Sequence, residues 1–201
     1  MKDFYEKTKN TYKENFEQYI SNTPPRSPDF LKWREDLNSL LTTHSQIIEI
    51  GSMEGIDARY FREKGHIVLC TDIVPEMLKR LANDNFMVYE YDFQNEPKKE
   101  WLDRFDCFFA NAVLLHAEEK VFQQVLKNAI ALVKKNGIIA LTFKEGFGDE
   151  LTNRKMNGQR YFKYYKKEDL EEIFKKLGFS DMQITDGGEG KYLRVILINN
   201  K

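Results

Sequence analysis

The order of polar and hydrophobic residues predicts that the chain begins with two helices. The first stretch is polar and charged, and its aromatic residues recur at spacings that place them on one face of a helix. These residues are Tyr5, Tyr12, Phe16 and Tyr19. The helix ends at Thr23-Pro24-Pro25, because proline lacks a backbone donor and restricts the residue before it. A second helix begins with Ser27 as N-cap and Pro28 at its first position, so we expect residues 1–44 to form a helical N-terminal cap.

From residue 45 onward, short apolar runs alternate with helical stretches. The apolar runs cover residues 47–50, 67–71, 86–91, 105–110 and 138–143. The helical stretches cover residues 57–64, 76–83 and 118–134. Continuous apolar strands that alternate with helices indicate a parallel sheet with helices on both faces.

The end of the chain has a different pattern. A helix over residues 168–177 is followed by apolar strands over residues 179–185 and 192–198, which a glycine-rich turn at 186–190 joins. Two strands joined by such a turn form an antiparallel hairpin. The predicted fold is therefore α/β, a doubly wound, mostly parallel, seven-stranded Rossmann-like sheet with an antiparallel C-terminal hairpin.

Length and composition limit the classes of protein further. With 201 residues the chain fits a single domain over 1–201, in which the helical cap over 1–44 precedes an α/β core over 45–201. The 31 basic and 32 acidic side chains nearly cancel, which argues against a protein that binds nucleic acid with its whole surface and makes a nucleic-acid partner unexpected. The mean hydropathy of -0.61 argues against a membrane protein. The sequence does not predict an oligomeric state.

The cysteines and histidines indicate neither disulfide nor metal chemistry. Cys70 and Cys107 each lie in an apolar run, which is typical of buried thiols in a reducing compartment. His44, His66 and His116 are dispersed along the chain, so we expect no metal site. The first residues contain no apolar stretch of signal-peptide length, and we therefore expect a cytoplasmic protein.

The loop after the first predicted strand is the first candidate for a ligand site. In a doubly wound sheet this loop lies where the strand order reverses, and ligands bind there. Gly51 allows a tight turn and a close approach of the backbone, and Gly55 allows the next helix to begin beneath a ligand. On its own, this pattern fits a simple βα turn equally well.

Acidic residues end the first three predicted strands. They are Glu49, Asp72 and Asp92. A carboxylate at the position of Asp72 can accept both hydroxyl hydrogens of a ribose. A carboxylate at Asp92 can accept from an adenine amino group, and Phe93 can pack on the ring. Together these residues favour a site for a cofactor that contains adenosine.

A nicotinamide-dinucleotide site is the competing prediction. Such sites place a pyrophosphate on a helix N-terminus behind a G-x-G-x-x-G loop. Here Met53 occupies the place of the second glycine, and Glu54 brings negative charge that would repel a diphosphate. S-Adenosylmethionine (SAM) carries a cationic centre and an amino group, and Glu49 is placed to accept from that amino group.

The ordered set of motifs resembles the class I SAM-dependent methyltransferases, in particular the small bacterial tellurite-resistance and quinone-biosynthesis type. The first motif of this family, acid-x-G-x-G-x-G, corresponds to Glu49, Gly51, Met53 and Gly55. Residues 105–116 resemble the family's fourth strand and residues 136–144 its fifth. The segments 158–162, 168–170 and 177–179 match its C-terminal third.

The resemblance implies an activity, a cofactor and a set of site residues. The activity is methyl transfer from SAM, of class EC 2.1.1. Asp72 corresponds to the family's ribose acid and Asp92 to its adenine-side acid. Tyr5 and Tyr12 lie where such enzymes carry an N-terminal helix that closes over the cofactor. The implied cofactor-binding residues are Glu49, Gly51, Ser52, Met53, Gly55, Asp72, Ile73, Asp92, Phe93, Asn111, Ala112 and Tyr12.

Two residues depart from the family's pattern. Met53 replaces a glycine that lets the backbone approach the methionine part of the cofactor. Ile56 stands where close relatives often carry an arginine, directly before Asp57. Because both changes bear on cofactor affinity, they keep a second class of function open. This is a module that binds SAM or S-adenosylhomocysteine (SAH) with weak or lost turnover.

The acceptor site is expected after the fourth and fifth strands. A long polar connection begins at Lys144 and reaches residue 165. Connections of this length are usually functional or disordered. Its cationic and phenolic groups fit a lid over an anionic or aromatic small molecule, although a solvated lid with aromatic residues packed beneath it explains them as well. The candidates for acceptor contacts are His116, Lys144, Arg160 and Tyr161. As a lone histidine at a helix start, His116 is more often a structural hydrogen-bonding residue than an acceptor contact.

A small-molecule acceptor is therefore the leading prediction. Transfer to RNA or protein is the alternative, and a basic groove beside the cofactor pocket would favour it. No Asn/Asp-Pro-Pro-aromatic tetrapeptide follows the fourth strand, which argues against methylation of an exocyclic base amine.

Overall fold

The structure, a computed structural model, describes residues 4–186 and 192–201. The helices are α1 (Phe4–Ser21), α2 (Pro28–Leu40), α3 (Ile56–Glu63), α4 (Pro75–Asn83), α5 (Glu119–Leu132) and α6 (Lys167–Lys176). The strands are β1 (Gln46–Ile50), β2 (Ile67–Asp72), β3 (Met87–Glu90), β4 (Phe105–Ala110), β5 (Val133–Glu145), β6 (Asp149–Thr152), β7 (Arg160–Tyr165), β8 (Met182–Asp186) and β9 (Tyr192–Ile198).

The central sheet follows the predicted α/β pattern. Seven of the nine strands of this sheet lie in the order β3-β2-β1-β4-β5-β9-β8, and β6 and β7 add two strands that were not predicted. The first five are parallel, and β9 runs antiparallel to both β5 and β8. The doubly wound sheet and its C-terminal antiparallel pair are thus confirmed. Most of the predicted turn at 186–190 lies outside the described residues.

Hydrophobic residues fill both faces of the sheet. In β1 the side chain of Ile47 packs on one face together with Trp33 of α2 and Phe61 of α3. The side chains of Ile48 and Ile50 belong to the core on the other face, to which α5 and α6 also contribute. This separation follows from the two-residue period of a strand. It fixes the carboxyl end of β1, and with it the loop that follows.

The two N-terminal helices begin and end close to the predicted positions. Ser27 caps α2 by accepting a hydrogen bond from the backbone N–H of Phe30, and Pro28 takes the first helical position. Within α1, Asn15 departs from helical geometry with φ of -129°, so the helix bends there. None of the described helices is long and apolar enough to cross a bilayer.

Three predicted elements have wrong boundaries, and one of them is the strand predicted over 138–143, which spans Val133–Glu145. The helix predicted over 118–134 ends at Leu132, because β5 begins at Val133 and pairs with the start of β4. The strand predicted from residue 179 begins only at Met182. The backbone N–H of Phe179 instead donates to the carbonyl of Phe174 and closes the end of α6.

The long polar connection after β5 is an ordered hairpin rather than a lid without secondary structure. Strands β6 and β7 pair antiparallel, and β7 joins the end of β5 in parallel. Helix α1 packs against this hairpin. The hydroxyl of Thr11 donates to the carbonyl of Gln159 over 2.8 Å, and the backbone N–H of Tyr161 donates to the hydroxyl of Thr8 over 2.9 Å. The hairpin therefore holds α1 over the carboxyl edge of the sheet.

Candidate functional site

A cavity lies at the carboxyl edge of the sheet, beneath α1. The ends of β1, β2 and β4 and the segment after β3 form its walls. It encloses about 610 Å³, including the space at its mouth. Its place at the carboxyl ends of the parallel strands is where ligands bind in a doubly wound sheet.

The loop between β1 and α3 requires glycine at two positions. Gly51 has φ of 68°, and a Cβ there would lie 2.5 Å from the side chain of Val113. Gly55 has φ of 71° at the start of α3, and a Cβ there would overlap Leu81. Met53 also has positive φ, at 47°, in the left-handed region that favours glycine. The cavity is lined by Gly51 and by Met53.

Asp72 connects this loop to the end of β2. Its carboxylate accepts the backbone N–H groups of Met53 over 2.8 Å and Val74 over 2.9 Å. Burial raises the pKa of Asp72, while the backbone hydrogen bonds oppose that rise. A carboxylate offers about four lone-pair sites. Asp72 therefore keeps acceptor capacity for a further donor in the cavity.

Glu49 lies directly behind the loop and is almost completely buried, with 3% of its surface exposed. Its Oε2 atom has no hydrogen-bond partner in the described part of the chain. Burial and then the negative charge of Asp57 raise the pKa of Glu49 to about 8. Buried polar atoms are normally satisfied, so this oxygen has an unfilled place for a donor.

A buried ionic network supports the loop after β4. Asp57 at the start of α3 accepts from Arg26 over 2.8 Å and from Arg34 over 2.7 Å. The side-chain amide of Asn111 also donates to Asp57, over 3.1 Å. The hydroxyl of Thr142 donates to Asn111 over 2.9 Å. These contacts fix the cavity wall that Asn111 forms.

Helix α1 closes the cavity from above through two tyrosines. The hydroxyl of Tyr5 donates to Asp92 over 2.7 Å, and Lys9 pairs with the same carboxylate over 3.1 Å. The hydroxyl of Tyr12 lies 2.9 Å from Nε2 of His116. Burial raises the pKa of both tyrosines, so their hydroxyls stay protonated.

His116 is a neutral, doubly hydrogen-bonded residue. Its Nδ1 lies 2.6 Å from the carbonyl oxygen of Tyr161, and burial lowers its pKa to about 3. Because a carbonyl only accepts, Nδ1 carries the hydrogen and Nε2 is left as an acceptor. The hydroxyl of Tyr12 therefore donates to Nε2. Arg160 in turn donates to that hydroxyl over 3.2 Å.

A second chamber adjoins the cavity on the side of the hairpin. It encloses about 480 Å³ and shares Tyr12, Tyr19, Ala112 and His116 with the cavity. Its lining also contains four basic residues, and we call it the cationic chamber. These residues are Lys144, Arg154, Lys155 and Arg160.

The structure brings most of the predicted cofactor residues to the cavity. Those that line it are Tyr12, Gly51, Met53, Asp72, Ile73, Phe93, Asn111 and Ala112. Glu49, Ser52 and Gly55 do not line it: Glu49 lies near the end of β1, and Ser52 and Gly55 belong to the loop between β1 and α3. Asp92 lies in a neighbouring cleft, where Tyr5 and Lys9 bind its carboxylate.

The four predicted acceptor candidates do not all lie at the same site. His116 borders the cavity and the cationic chamber, whereas Lys144 and Arg160 line the chamber alone. Tyr161 lines neither, because its ring stacks on Phe4 at a centroid distance of 5.3 Å. Apart from the acceptor candidate His116, seven lining residues are absent from the predicted cofactor-binding set. They are Tyr5, Thr8, Lys9, Tyr19, Ile50, Tyr91 and Val113. The helical spacing of the tyrosines was a signal that Thr8 also faces the cavity.

Comparison with known proteins agrees with this architecture. A sequence model of the family described as "Methyltransferase domain" matches residues 26–184. No curated protein matches the chain by sequence. The structure is similar to that of the DhpI-SAM-HEP complex, with a TM-score of 0.78 and 16% identity over 98% of each chain.

Two further solved structures share the fold. A 1,6-didemethyltoxoflavin-N1-methyltransferase from Burkholderia thailandensis, with bound 1,6-didemethyltoxoflavin and SAH, is similar with a TM-score of 0.68 and 21% identity. The similarity covers 87% of this chain and 79% of that one. A TehB-like SAM-dependent methyltransferase from Corynebacterium glutamicum is similar with a TM-score of 0.60 and 15% identity, over 82% of this chain and 85% of that one.

Proposed function

The chain belongs to the methyltransferase domain family, and from this premise we propose that it transfers a methyl group from SAM to a small-molecule acceptor, an activity of class EC 2.1.1. One observation carries the proposal. The buried Glu49, with an unfilled acceptor place, and the carboxylate of Asp72 lie at neighbouring strand ends around the same glycine loop.

The donors and acceptors around the cavity fit SAM. Glu49 Oε2 can accept from the ammonium of the methionine part, directly or through water. Asp72 can accept from the ribose hydroxyls with the lone pairs that its two backbone contacts leave free. Phe93 and Ile73 supply apolar surface to the same cavity, where an adenine ring can pack.

When bound, SAM supplies a methyl group on a positively charged sulfur that is already activated for displacement. The chain therefore has to bind SAM and the acceptor, orient them towards each other and exclude water. Orientation of two reactants can contribute roughly 7–11 kcal/mol to lowering a barrier. Helix α1 supplies the exclusion of water, since Tyr5 and Tyr12 cover the cavity and are held by Asp92 and His116.

His116 fits a positioning role better than that of a general base. Its Nε2 accepts from Tyr12, and burial holds its pKa near 3, far below neutral pH. A base with so low a pKa removes protons poorly at neutral pH. We therefore favour an acceptor whose reacting atom is already unprotonated.

A module that binds SAM or SAH with weak turnover is the second candidate. Met53 favours it, because its side chain lines the cavity at the place of a family glycine. The finer assignment to the tellurite-resistance and quinone-biosynthesis type stays a prediction. So do a cytoplasmic location and the absence of a nucleic-acid partner.

Thermal unfolding with SAM, SAH and NAD tests the proposal. A ligand at about 100 times its dissociation constant stabilises the fold by about 2.7 kcal/mol. For a chain of this size that corresponds to a rise in Tm of roughly 5–10 °C. We expect this rise with SAM and SAH and none with NAD. A rise with NAD alone would refute the cofactor assignment.

A turnover measurement separates the two candidate functions. We expect SAH to accumulate when SAM and a panel of small-molecule acceptors are incubated with the protein. Tight SAM binding without SAH formation from any acceptor class would favour the binding module instead.

A further inference from the structure

The cationic chamber has a charge that its own lining does not balance. None of the described residues that line it is acidic, although four are basic, and only Arg154 of the four forms an ion pair among the described residues, with Glu150 outside the lining over 3.9 Å. The chamber meets the cofactor cavity at Ala112 and His116, so a molecule bound in it would lie beside the cofactor.

Arg160 is the most deeply buried of the four basic residues, with 3% of its surface exposed. One end of its guanidinium donates to the hydroxyl of Tyr12 and the other to the carbonyl of Arg154. Its Nε is buried without a partner, and no carboxylate of residues 4–186 or 192–201 forms an ion pair with it. Buried charges are normally paired, because removing an isolated charge from water is costly. This guanidinium therefore lacks a counter-ion.

Lys144 is half-buried beside Arg160 and also forms no ion pair within the described ranges. Its Nζ lies 4.5 Å from the ring centroid of Phe162. Burial and the nearby charges of Arg154 and Arg160 lower the pKa of Lys144, while Glu150 raises it. Like charges held together in a partly buried space repel one another, and a bound anion would relieve that repulsion.

We infer that the cationic chamber binds the acid group of the methyl acceptor, so that the substrate is a small organic acid whose oxyanion is held by Arg160 and Lys144. The inference rests on the proposed function, because it assigns the acceptor of that same site. A guanidinium presents its N–H groups in a planar fork that matches two oxygens of a carboxylate or phosphate. The free Nε–H of Arg160 is part of that fork.

The size of the chamber favours a small acid over RNA. It encloses only about 480 Å³, part of which is open to solvent, so it has no room for several successive nucleotides. Recognition of single-stranded RNA instead combines a basic groove that follows the backbone with aromatic platforms for successive bases. One titration distinguishes binding of a small anion from binding of RNA.

The test is an NMR titration of the SAH-saturated protein at fixed ionic strength. Inorganic phosphate, acetate and neutral acetamide are added in turn, and the Nε–H resonance of Arg160, assigned with Arg160→Lys, is followed. We expect a saturable shift with phosphate or acetate and none with acetamide. The Nε–H of Arg34, which is also buried without a partner but whose guanidinium is paired with Asp57, should not shift. Comparison of phosphate with acetate identifies the kind of oxyanion.

Two lysine variants provide the matched comparison. Lys144→Met should weaken binding of the effective anion about tenfold, as expected for loss of one charge-assisted contact. Lys163→Met changes a lysine of β7 that does not line the chamber, and the dissociation constant should stay the same. Both variants should bind SAH like the wild type, which confirms that they are folded.

Three results would overturn the inference. One is the absence of a saturable shift of Arg160 with both anions up to about 50 mM. Another is equal weakening in both lysine variants. The third is a shift caused by a single-stranded RNA 12-mer but by neither small anion, which would assign the chamber to nucleic acid. The titration is repeated without SAH, so that failure of SAH binding counts against the proposed function and leaves anion binding as a separate result.

Discussion

Replacement of Met53 tests whether the loop after β1 carries backbone strain. Met53 adopts φ of 47° in a loop whose neighbours at positive φ, Gly51 and Gly55, are glycines. Met53→Gly removes both the strain and the side chain in the cavity. Met53→Ala removes most of the side chain but keeps a Cβ at the same backbone angle, so it is the matched control.

The expected magnitude comes from two opposing contributions. A residue other than glycine costs about 1–2 kcal/mol in the left-handed region. Glycine increases the entropy of the unfolded chain, which costs about 0.4–1 kcal/mol relative to alanine. The free energy of unfolding of Met53→Gly should therefore exceed that of Met53→Ala by about 0.5–1 kcal/mol. For a chain of this length the corresponding rise in Tm is roughly 1–4 °C.

Urea unfolding of the two variants measures this difference. Equal values of m, the slope of the unfolding free energy against urea concentration, would show that both variants undergo the same transition. Calorimetric titration with SAH measures the effect on the site. We expect the affinity for SAH to be lowest in the wild type, higher in Met53→Ala and highest in Met53→Gly, because each smaller side chain opens the cavity further. If the glycine variant were no more stable than the alanine variant, the strain argument would be refuted.

Three further changes test the contacts around the cavity. Asp72→Ala removes the acceptor of two backbone N–H groups, so urea unfolding should show a loss of about 1–3 kcal/mol and titration should show weaker SAH binding. The exposed Asp84→Ala, which loses only a surface ion pair, should cost less than about 1 kcal/mol. Tyr12→Phe leaves Nε2 of His116 buried without a donor, and its unfolding free energy should also fall by about 1–3 kcal/mol. We expect the stability of the wild type to decline between pH 6.5 and 8 in urea unfolding, and Glu49→Gln should flatten that decline.

The sign of that pH dependence follows from the proton count. The folded protein keeps a proton on Glu49 up to a pKa of about 8, whereas the ordinary value is 4.5. Stability therefore falls as pH rises through this interval, by up to about 1.4 kcal/mol per pH unit. His116 acts in the opposite direction, since its pKa falls from 6.5 to about 3 and stability rises with pH below 6.5. The interval from 6.5 to 8 isolates Glu49, and an equally steep decline in Glu49→Gln would contradict the assignment.

The parallel part of the fold could be predicted because its strands are continuous apolar runs between amphipathic helices. The pairing of β7 with β5 could not be predicted in this way. The segment 160–165 is rich in aromatic residues that favour strands, but its position depends on contacts with Thr8 and Thr11, which are distant in sequence. Local patterns do not encode such contacts, so the hairpin was interpreted as a polar connection.

The site shows the same difference between what local sequence patterns predict and what contacts between distant residues determine. Asp72 could be predicted because the end of a strand beside the glycine loop has a defined place in a doubly wound sheet. The position of Asp92 relative to the cavity could not be predicted, because it depends on contacts of its carboxylate with Tyr5 and Lys9 of α1. The lack of a counter-ion at Arg160 is likewise a property of three-dimensional burial.

Helix α1 contributes residues to both the cofactor cavity and the cationic chamber. On one side Tyr5 reaches Asp92 beside the cofactor cavity, and on the other Thr8 and Thr11 bind the hairpin that carries Arg160. Tyr12 lies between them and lines both spaces. The match to the family begins only at residue 26, after this helix ends. Because α1 lies outside the match and lines both spaces, we expect the acceptor preference of this chain to depend on α1, whereas the hairpin and the loops of the sheet lie within the match.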